Sequence, residues 1–364
     1  MKGRLIMRDS LCDDFLNSKK VLFPFFDMAN DYLKGKRDFL PWAVEVQPTA
    51  KCNHACIHCS YKERNENRAE LDKETFEKLI DSLISMRVHG VFFSGGGEPC
   101  IYPHLKDAIV KLHQNGVEVA VVTNGSLIER SGIIEVADHL NYIAVSVPSC
   151  NKEMFKKITG KSYVEDVLEL PRKIRSIHGD SSPVIGARIV ITNLIAREVS
   201  DILAILKKKE YDYANFKMVR DYESRGLGVS DEMVEELKKE VQKLVDEGKV
   251  DHKYTNIDNV FAYRKPYNPV MTCHMNQMGL LGVVTPEGDV YHNISEIVRE
   301  DFKIGNIYDT PLDKLWNSPQ HDLVKQKSHE LWISGKCENC RSIGFNSRIN
   351  EVLEGMPSHM DPLM

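Results

Sequence analysis

Three cysteines, Cys52, Cys56 and Cys59, fall at C-x3-C-x2-C spacing in the run Lys51-Cys52-Asn53-His54-Ala55-Cys56-Ile57-His58-Cys59-Ser60. Three thiolates from one short loop can converge on a metal centre, but they neither fill a tetrahedral site nor supply all four ligands of a cubane cluster. One coordination position stays open. A metal that must bind and activate another molecule is held in this way, whereas a structural metal is closed in by its own ligands. The competing reading is a zinc knot with His54 or His58 as the fourth ligand, because short C-x-x-C spacings also suit zinc.

A second candidate is Ser94-Gly95-Gly96-Gly97-Glu98-Pro99. Its glycines let backbone groups approach a ligand that side chains would obstruct. A plain tight turn is the alternative, and the run is not the G-x-G-x-x-G of a dinucleotide fold. The third candidate is Cys273, followed by a hairpin pattern and then Cys337-Glu338-Asn339-Cys340. This suits a second cluster or a zinc ribbon.

Residues 41–225 must position the first two candidates. Apolar strand-like runs at 42–46, 91–93, 117–122, 142–147, 184–192 and 216–219 alternate with helical patterns, among them 71–88 with Asp72 as its cap, 103–113, 133–139 and 199–208. Six strands with intervening helices predict an α/β fold with a parallel sheet of right-handed crossovers, too short for a complete eight-stranded barrel. The cysteines then follow the first strand and the glycines the second, at the carboxyl ends where ligand sites gather. Thr123-Asn124-Gly125 and Ser146 end the third and fourth strands. Arg188 and Arg220, with Asp221 and Tyr222, are candidate substrate anchors or proton acceptors, although a strand arginine can equally serve a salt bridge. Cys150, just past the fourth strand, is a candidate hydrogen-atom donor. Residues 1–40 read as an N-terminal extension, 226–269 as a helical linker with a charged amphipathic helix at 230–248, and 270–364 as a small C-terminal domain with a hairpin turning at 286–289.

The cysteine loop and the glycine run together resemble the radical S-adenosylmethionine (SAM) enzymes, although His58 stands where an aromatic residue often precedes the third cysteine. The resemblance implies a partial (β/α)6 barrel, TIM-barrel-like, and a [4Fe–4S] cluster on Cys52, Cys56 and Cys59. SAM would take the open iron through its amino and carboxylate groups. Electron transfer from the cluster would then yield methionine and a 5′-deoxyadenosyl radical that removes a hydrogen atom from the substrate. Gly96, Gly97 and Glu98 match the run that holds the SAM amino group, Asn124 and Ser146 match further SAM contacts, and Lys156, Lys157 or Lys161 could neutralise its carboxylate.

The C-terminal cysteines resemble the auxiliary-cluster domains called SPASM and, in truncated form, Twitch. This implies a second iron-sulfur cluster on Cys273, Cys337 and Cys340. Where relatives have another cysteine the chain reads Tyr291-His292-Asn293, which makes His292 a candidate fourth ligand. A small-molecule substrate is expected, as in relatives that dehydrogenate aminocyclitols or epimerise and decarboxylate small molecules. A peptide or protein maturase is the alternative, less favoured because residues 1–40 are short for a leader-binding domain. A flavodoxin or ferredoxin is the expected electron donor.

The 364 residues suffice for a buried core without disulfides. A net charge of −5 argues against nucleic acid as the partner, and 42% apolar residues are ordinary for a globular chain. No run approaches a membrane span or a signal peptide. Nine cysteines, six of them grouped, suit a reducing compartment, so the chain reads as cytoplasmic.

Overall fold

The computed structural model describes residues 39–219, 225–249 and 273–334, except 295 and 298, together with 28, 31, 32, 34–36, 254 and 255. Among them nine strands make one sheet. The first six are β1 (Ala43–Val46), β2 (Gly90–Phe93), β3 (Glu118–Thr123), β4 (Tyr142–Ser146), β5 (Val184–Ile191) and β6 (Tyr213–Met218). They are parallel and lie side by side in chain order. The expected hairpin is present as β7 (Leu281–Val284) and β8 (Asp289–Tyr291), followed by β9 (Gly305–Asn306). Its placement is new information. β7 pairs in parallel with β1, so the C-terminal strands continue the barrel sheet, and the order runs β6-β5-β4-β3-β2-β1-β7-β8-β9 without closing.

Helices pack on one face of this sheet. α1 (Lys73–Ser85) starts where Asp72 accepts a hydrogen bond from Thr75 N, and it buries Phe76, Leu79, Ile80 and Leu83 at helical spacing. It ends before Arg87, which has positive φ, so Gly90 opens β2 and does not terminate the helix. α2 (Leu105–Gln114), α3 (Lys152–Thr159), α4 (Val164–Leu168), α5 (Leu170–His178) and α6 (Val199–Lys208) follow. The 133–139 segment is a 3-10 turn broken at Val136. α7 (Asp231–Asp246) buries Val234, Leu237 and Val241 and leaves its charges outside. α8 (His274–Gln277), α9 (Leu312–Trp316) and α10 (Pro319–Ile333) belong to the C-terminal part. α10 escaped the sequence pattern because its buried face, His321, Val324, Ser328 and Trp332, is half polar.

Strand alternation sorts the side chains by chemistry. Val44, Val46, Val119, Val121, Ile143 and Ile189 face the helices and are wholly excluded from solvent. By register, Glu45, Tyr142, Ser146, Arg188, Tyr213 and Asn215 face the opposite side, the barrel lumen. A core on one face and a polar, partly open chamber on the other follow from the same period of two.

Trp316 couples the C-terminal part to this sheet: its indole N–H donates to Phe39 O at 3.1 Å, and its ring covers Gly282 of β7. Replacing Trp316 by Ala should cost about 3–5 kcal/mol. Because β7 is hydrogen-bonded to β1, melting followed by circular dichroism should show one cooperative loss. A separate early transition with the barrel strands intact would contradict the continuous sheet.

Candidate active site

The cysteine loop leaves β1 and is fastened at four points. Gly97 N donates to Thr49 O and Glu98 N to Lys51 O, both at 2.8 Å. A Cβ on Gly97 would lie 2.0 Å from Lys51 O, so a glycine is needed there for backbone to meet backbone. Ala55 N and Ile57 N donate to Thr159 O and Ile158 O at the end of α3. Asn53 bridges to the end of β3: its Nδ2 donates to Ser126 Oγ and its Oδ1 accepts from Asn124 Nδ2, each at 2.8 Å. Arg225 donates to Ile57 O at 2.8 Å and Cys59 O at 3.1 Å from 166 residues downstream of Cys59.

These constraints bring the three thiols together. Burial raises the Cys52 and Cys56 pKa values, Cys56 to about 12; Glu98 and Cys59 raise Cys52 further, and Cys59 and Cys52 raise Cys56. Thiolates crowded in this way repel, and a metal cluster supplies the positive charge that holds them ionised. His54 Nδ1 lies 3.9 Å from Cys56 Sγ and its Nε2 lies 2.6 Å from the Tyr163 hydroxyl, while burial and then Arg225 lower the His58 pKa to about 4. Among the described residues no three His, Cys, Asp or Glu side chains are set to hold a single metal ion. The thiolates of a cubane each meet a different iron and need not converge so closely.

The glycine run lies against this loop, but its parts are engaged differently than the motif implies. The Gly96 carbonyl accepts from Asn65 Nδ2. Both Glu98 oxygens face β3: Oε1 accepts from Thr123 Oγ1 at 2.6 Å and Cys100 N at 3.0 Å, and Oε2 from Asn124 N at 2.7 Å. Glu98 therefore ties the second strand end to the third, although burial still raises its pKa. Asn124 is likewise held within the protein through Asn53, Ser126 and Glu98. Beneath Gly95 lies a buried polar group in which Gln47 Nε2 and Ser94 Oγ both donate to Glu45 Oε1, while Gln47 Oε1 meets no donor. Lys156 and Lys157 are exposed on α3, whereas half-buried Lys161 is close enough to depress the His54 pKa, an effect second to burial.

Further round the barrel, Ser146 and Arg188 are register partners on β4 and β5, both facing the lumen. Cys150 lies elsewhere. Burial lifts its pKa to about 12, and its charged surroundings are Glu165, Glu198 and Lys209 from the helical layer, so a hydrogen-donor role gains no support from its placement. Arg220, Asp221 and Tyr222 lie outside the described residues, as do Cys337 and Cys340.

Cys273 is buried at the start of α8. Asn293, next to His292, donates to Asn276 Oδ1 at 3.2 Å and so brings that segment beside α8. His292 itself is already bonded at both nitrogens. His321 Nδ1 lies 2.7 Å from Trp316 O and must carry hydrogen, and burial followed by His292 lowers the His321 pKa to about 3, leaving its Nε2 bare. His292 Nδ1, 3.4 Å away, therefore donates to it, and His292 Nε2 sits 2.9 Å from Ser328 Oγ and 3.2 Å from Glu296 Oε2. Iron ligation by His292 Nε2 would have to displace Ser328 and Glu296. Asn53 and Asn65 were legible only as polar residues near the cysteines. Arg225 carried no local signal at all.

Residues 46–203 match the radical SAM superfamily, and residues 273–341 match SPASM, an iron-sulfur cluster-binding domain. The Fe-coproporphyrin III synthase of Methanosarcina barkeri is 23% identical over 85% of this chain and 81% of its own length. The antilisterial bacteriocin subtilosin biosynthesis protein AlbA of Bacillus subtilis is 22% identical over 86% of this chain and 70% of its own. In fold the chain is similar to Streptococcus suis SuiB bound to precursor peptide SuiA, with a TM-score of 0.64 and 14% identity over 87% of this chain and 73% of that one.

Replacing Cys52, Cys56 and Cys59 together by Ala should remove about four irons per anaerobically reconstituted chain and leave the rest bound. An unchanged iron count would contradict the assignment. Replacing Arg225 by Met removes a cation from the third-cysteine turn. The midpoint potential of the loop cluster, read by EPR-monitored titration, should then fall, with Lys at the same position restoring part of it. An unchanged potential would show that Arg225 only fastens the backbone.

Proposed function

Because this chain belongs to the radical SAM superfamily and carries a SPASM iron-sulfur domain, we propose that it is an oxidoreductase that abstracts a hydrogen atom from a small molecule held in the barrel lumen. When bound, the [4Fe–4S] cluster and SAM supply the 5′-deoxyadenosyl radical. The residues around them have separate tasks. Cys52, Cys56 and Cys59 hold three irons, and the close approach of Gly97 to Lys51 sets the loop against the glycine turn. Lys161 is the cation best placed to meet the SAM carboxylate. The second cluster, on Cys273, Cys337 and Cys340, is an acceptor for the electron left on the substrate radical, and a flavodoxin or ferredoxin delivers the reducing electron.

The observation carrying the small-molecule reading is the chamber itself. Its polar residues lie on the strand faces turned away from the helices, where side chains from neighbouring strands can hold a guest together. The Fe-coproporphyrin III synthase that matches most of the chain is named for a small-molecule product. The second reading, a peptide maturase, is favoured by the similarly long match to the subtilosin biosynthesis protein.

Reduced, cluster-loaded protein given SAM and dithionite should release 5′-deoxyadenosine and methionine in equal amounts. Small-molecule candidates should raise that rate, with deuterium passing from substrate to 5′-deoxyadenosine. Stimulation by peptides alone would favour the second reading, and no cleavage under any condition would remove both.

A further inference from the structure

Among the described residues, the lumen holds a cation that no carboxylate neutralises. Arg188 on β5 stands beside Ser146 of β4 and Asn215 of β6 in register, and all three side chains lie on the lumen face. Half-buried Arg175 on α5 is paired with Asp212 at 2.7 Å, but among the described residues no carboxylate or hydrogen-bond acceptor meets the Arg188 guanidinium. Its charge is felt instead by two phenols, Tyr142 and Tyr213, whose pKa values burial raises and Arg188 pulls back. The Tyr213 ring lies over Gly186, where a Cβ would come within 1.9 Å of it. An apolar plate therefore borders the cation. Asn215 is only 6% exposed, yet its Oδ1 meets no donor among the described residues.

A half-buried guanidinium and a buried amide oxygen, neither meeting a partner among the described residues, both cost stability unless a ligand completes them. We propose that Arg188 and Asn215 form a substrate subsite for a carboxylate, with Ser146 at its SAM-facing edge. Arg188 takes the carboxylate oxygens in its planar fork, and Asn215 Oδ1 accepts from a neighbouring hydroxyl or amine of the same molecule. SAM is the less suitable occupant. Its carboxylate belongs at the open iron beside the cysteine loop, where Lys161 stands near His54, whereas Arg188 is four strands away from β1. The inference rests on the reading above only in treating the lumen as the reaction chamber, and it narrows the substrate class to carboxylic acids carrying an adjacent donor.

The test is chemical and does not need turnover. Cluster-loaded protein with saturating SAM is treated with phenylglyoxal, and modification of Arg188 is followed by peptide mass spectrometry in the presence of benzoate or of benzamide, its uncharged counterpart. Benzoate should slow modification of Arg188 roughly tenfold more than benzamide. Salicylate, which adds an adjacent hydroxyl, should protect better than benzoate, and Asn215→Leu should abolish that difference while Arg188 stays reactive. Equal protection by benzoate and benzamide would overturn the proposal. So would full protection by SAM alone, which would assign the guanidinium to SAM, or an Arg188 that never reacts and is therefore closed to the lumen. Protein that fails to cleave SAM but shows selective protection would sink the reaction reading and leave the carboxylate site standing.

Discussion

Three half-buried thiols in one loop are an electrostatic problem before they are a catalytic device. Ionised, they repel one another, and burial deepens the penalty. The protein keeps them close by fixing backbone: Lys51 against Gly97, Asn53 against Asn124, residues 55 and 57 against the end of α3, and the Cys56–Cys59 turn beneath Arg225. Most of the polar residues near the loop are committed to this fastening. Glu98 and Asn124, which the motif assigns to the cofactor, spend their visible hydrogen bonds joining the ends of β2 and β3. The residues that the motif assigns to SAM thus also pre-organise the loop, so a substitution meant to probe cofactor binding will disturb the loop as well.

The sheet gives this loop its setting. Apolar residues on alternate positions build the helix-facing core, and the intervening polar residues line a chamber whose mouth holds the cysteines. The C-terminal hairpin extends that sheet from β1, the strand that delivers the loop. Its turn reaches the loop's own continuation, where Asn67 Nδ2 donates to Glu287 Oε1 at 2.8 Å and Arg64 lies 3.6 Å from the same carboxylate. The SPASM hairpin and the radical SAM loop are consequently joined by hydrogen bonds as well as by chain.

Much of this was legible from the sequence. Period-two and helical patterns gave all six parallel strands, the capped α1 and the hairpin turn, and the cysteine spacing gave the first candidate metal site. What escaped reading depended on long-range contact. Nothing near Arg225 indicates that it meets Cys59, and nothing in the hairpin indicates that β7 pairs with β1. α10 hid because its buried side includes His321 and Ser328, which serve a hydrogen-bond chain and break the apolar stripe. The neighbours of His292 were hidden for the same reason: the sequence shows a histidine where a cysteine is expected, but not that His321 and Ser328 lie against its two nitrogens.

The central claim is that the iron left open by Cys52, Cys56 and Cys59 is where SAM binds. Electron-nuclear double resonance on the reduced cluster, with SAM labelled by nitrogen-15 at its amino group, measures that contact directly. A hyperfine coupling from the labelled nitrogen, lost when unlabelled S-adenosylhomocysteine displaces the labelled SAM, is the predicted result. A reduced cluster whose spectrum shows no coupling at saturating SAM would contradict the account.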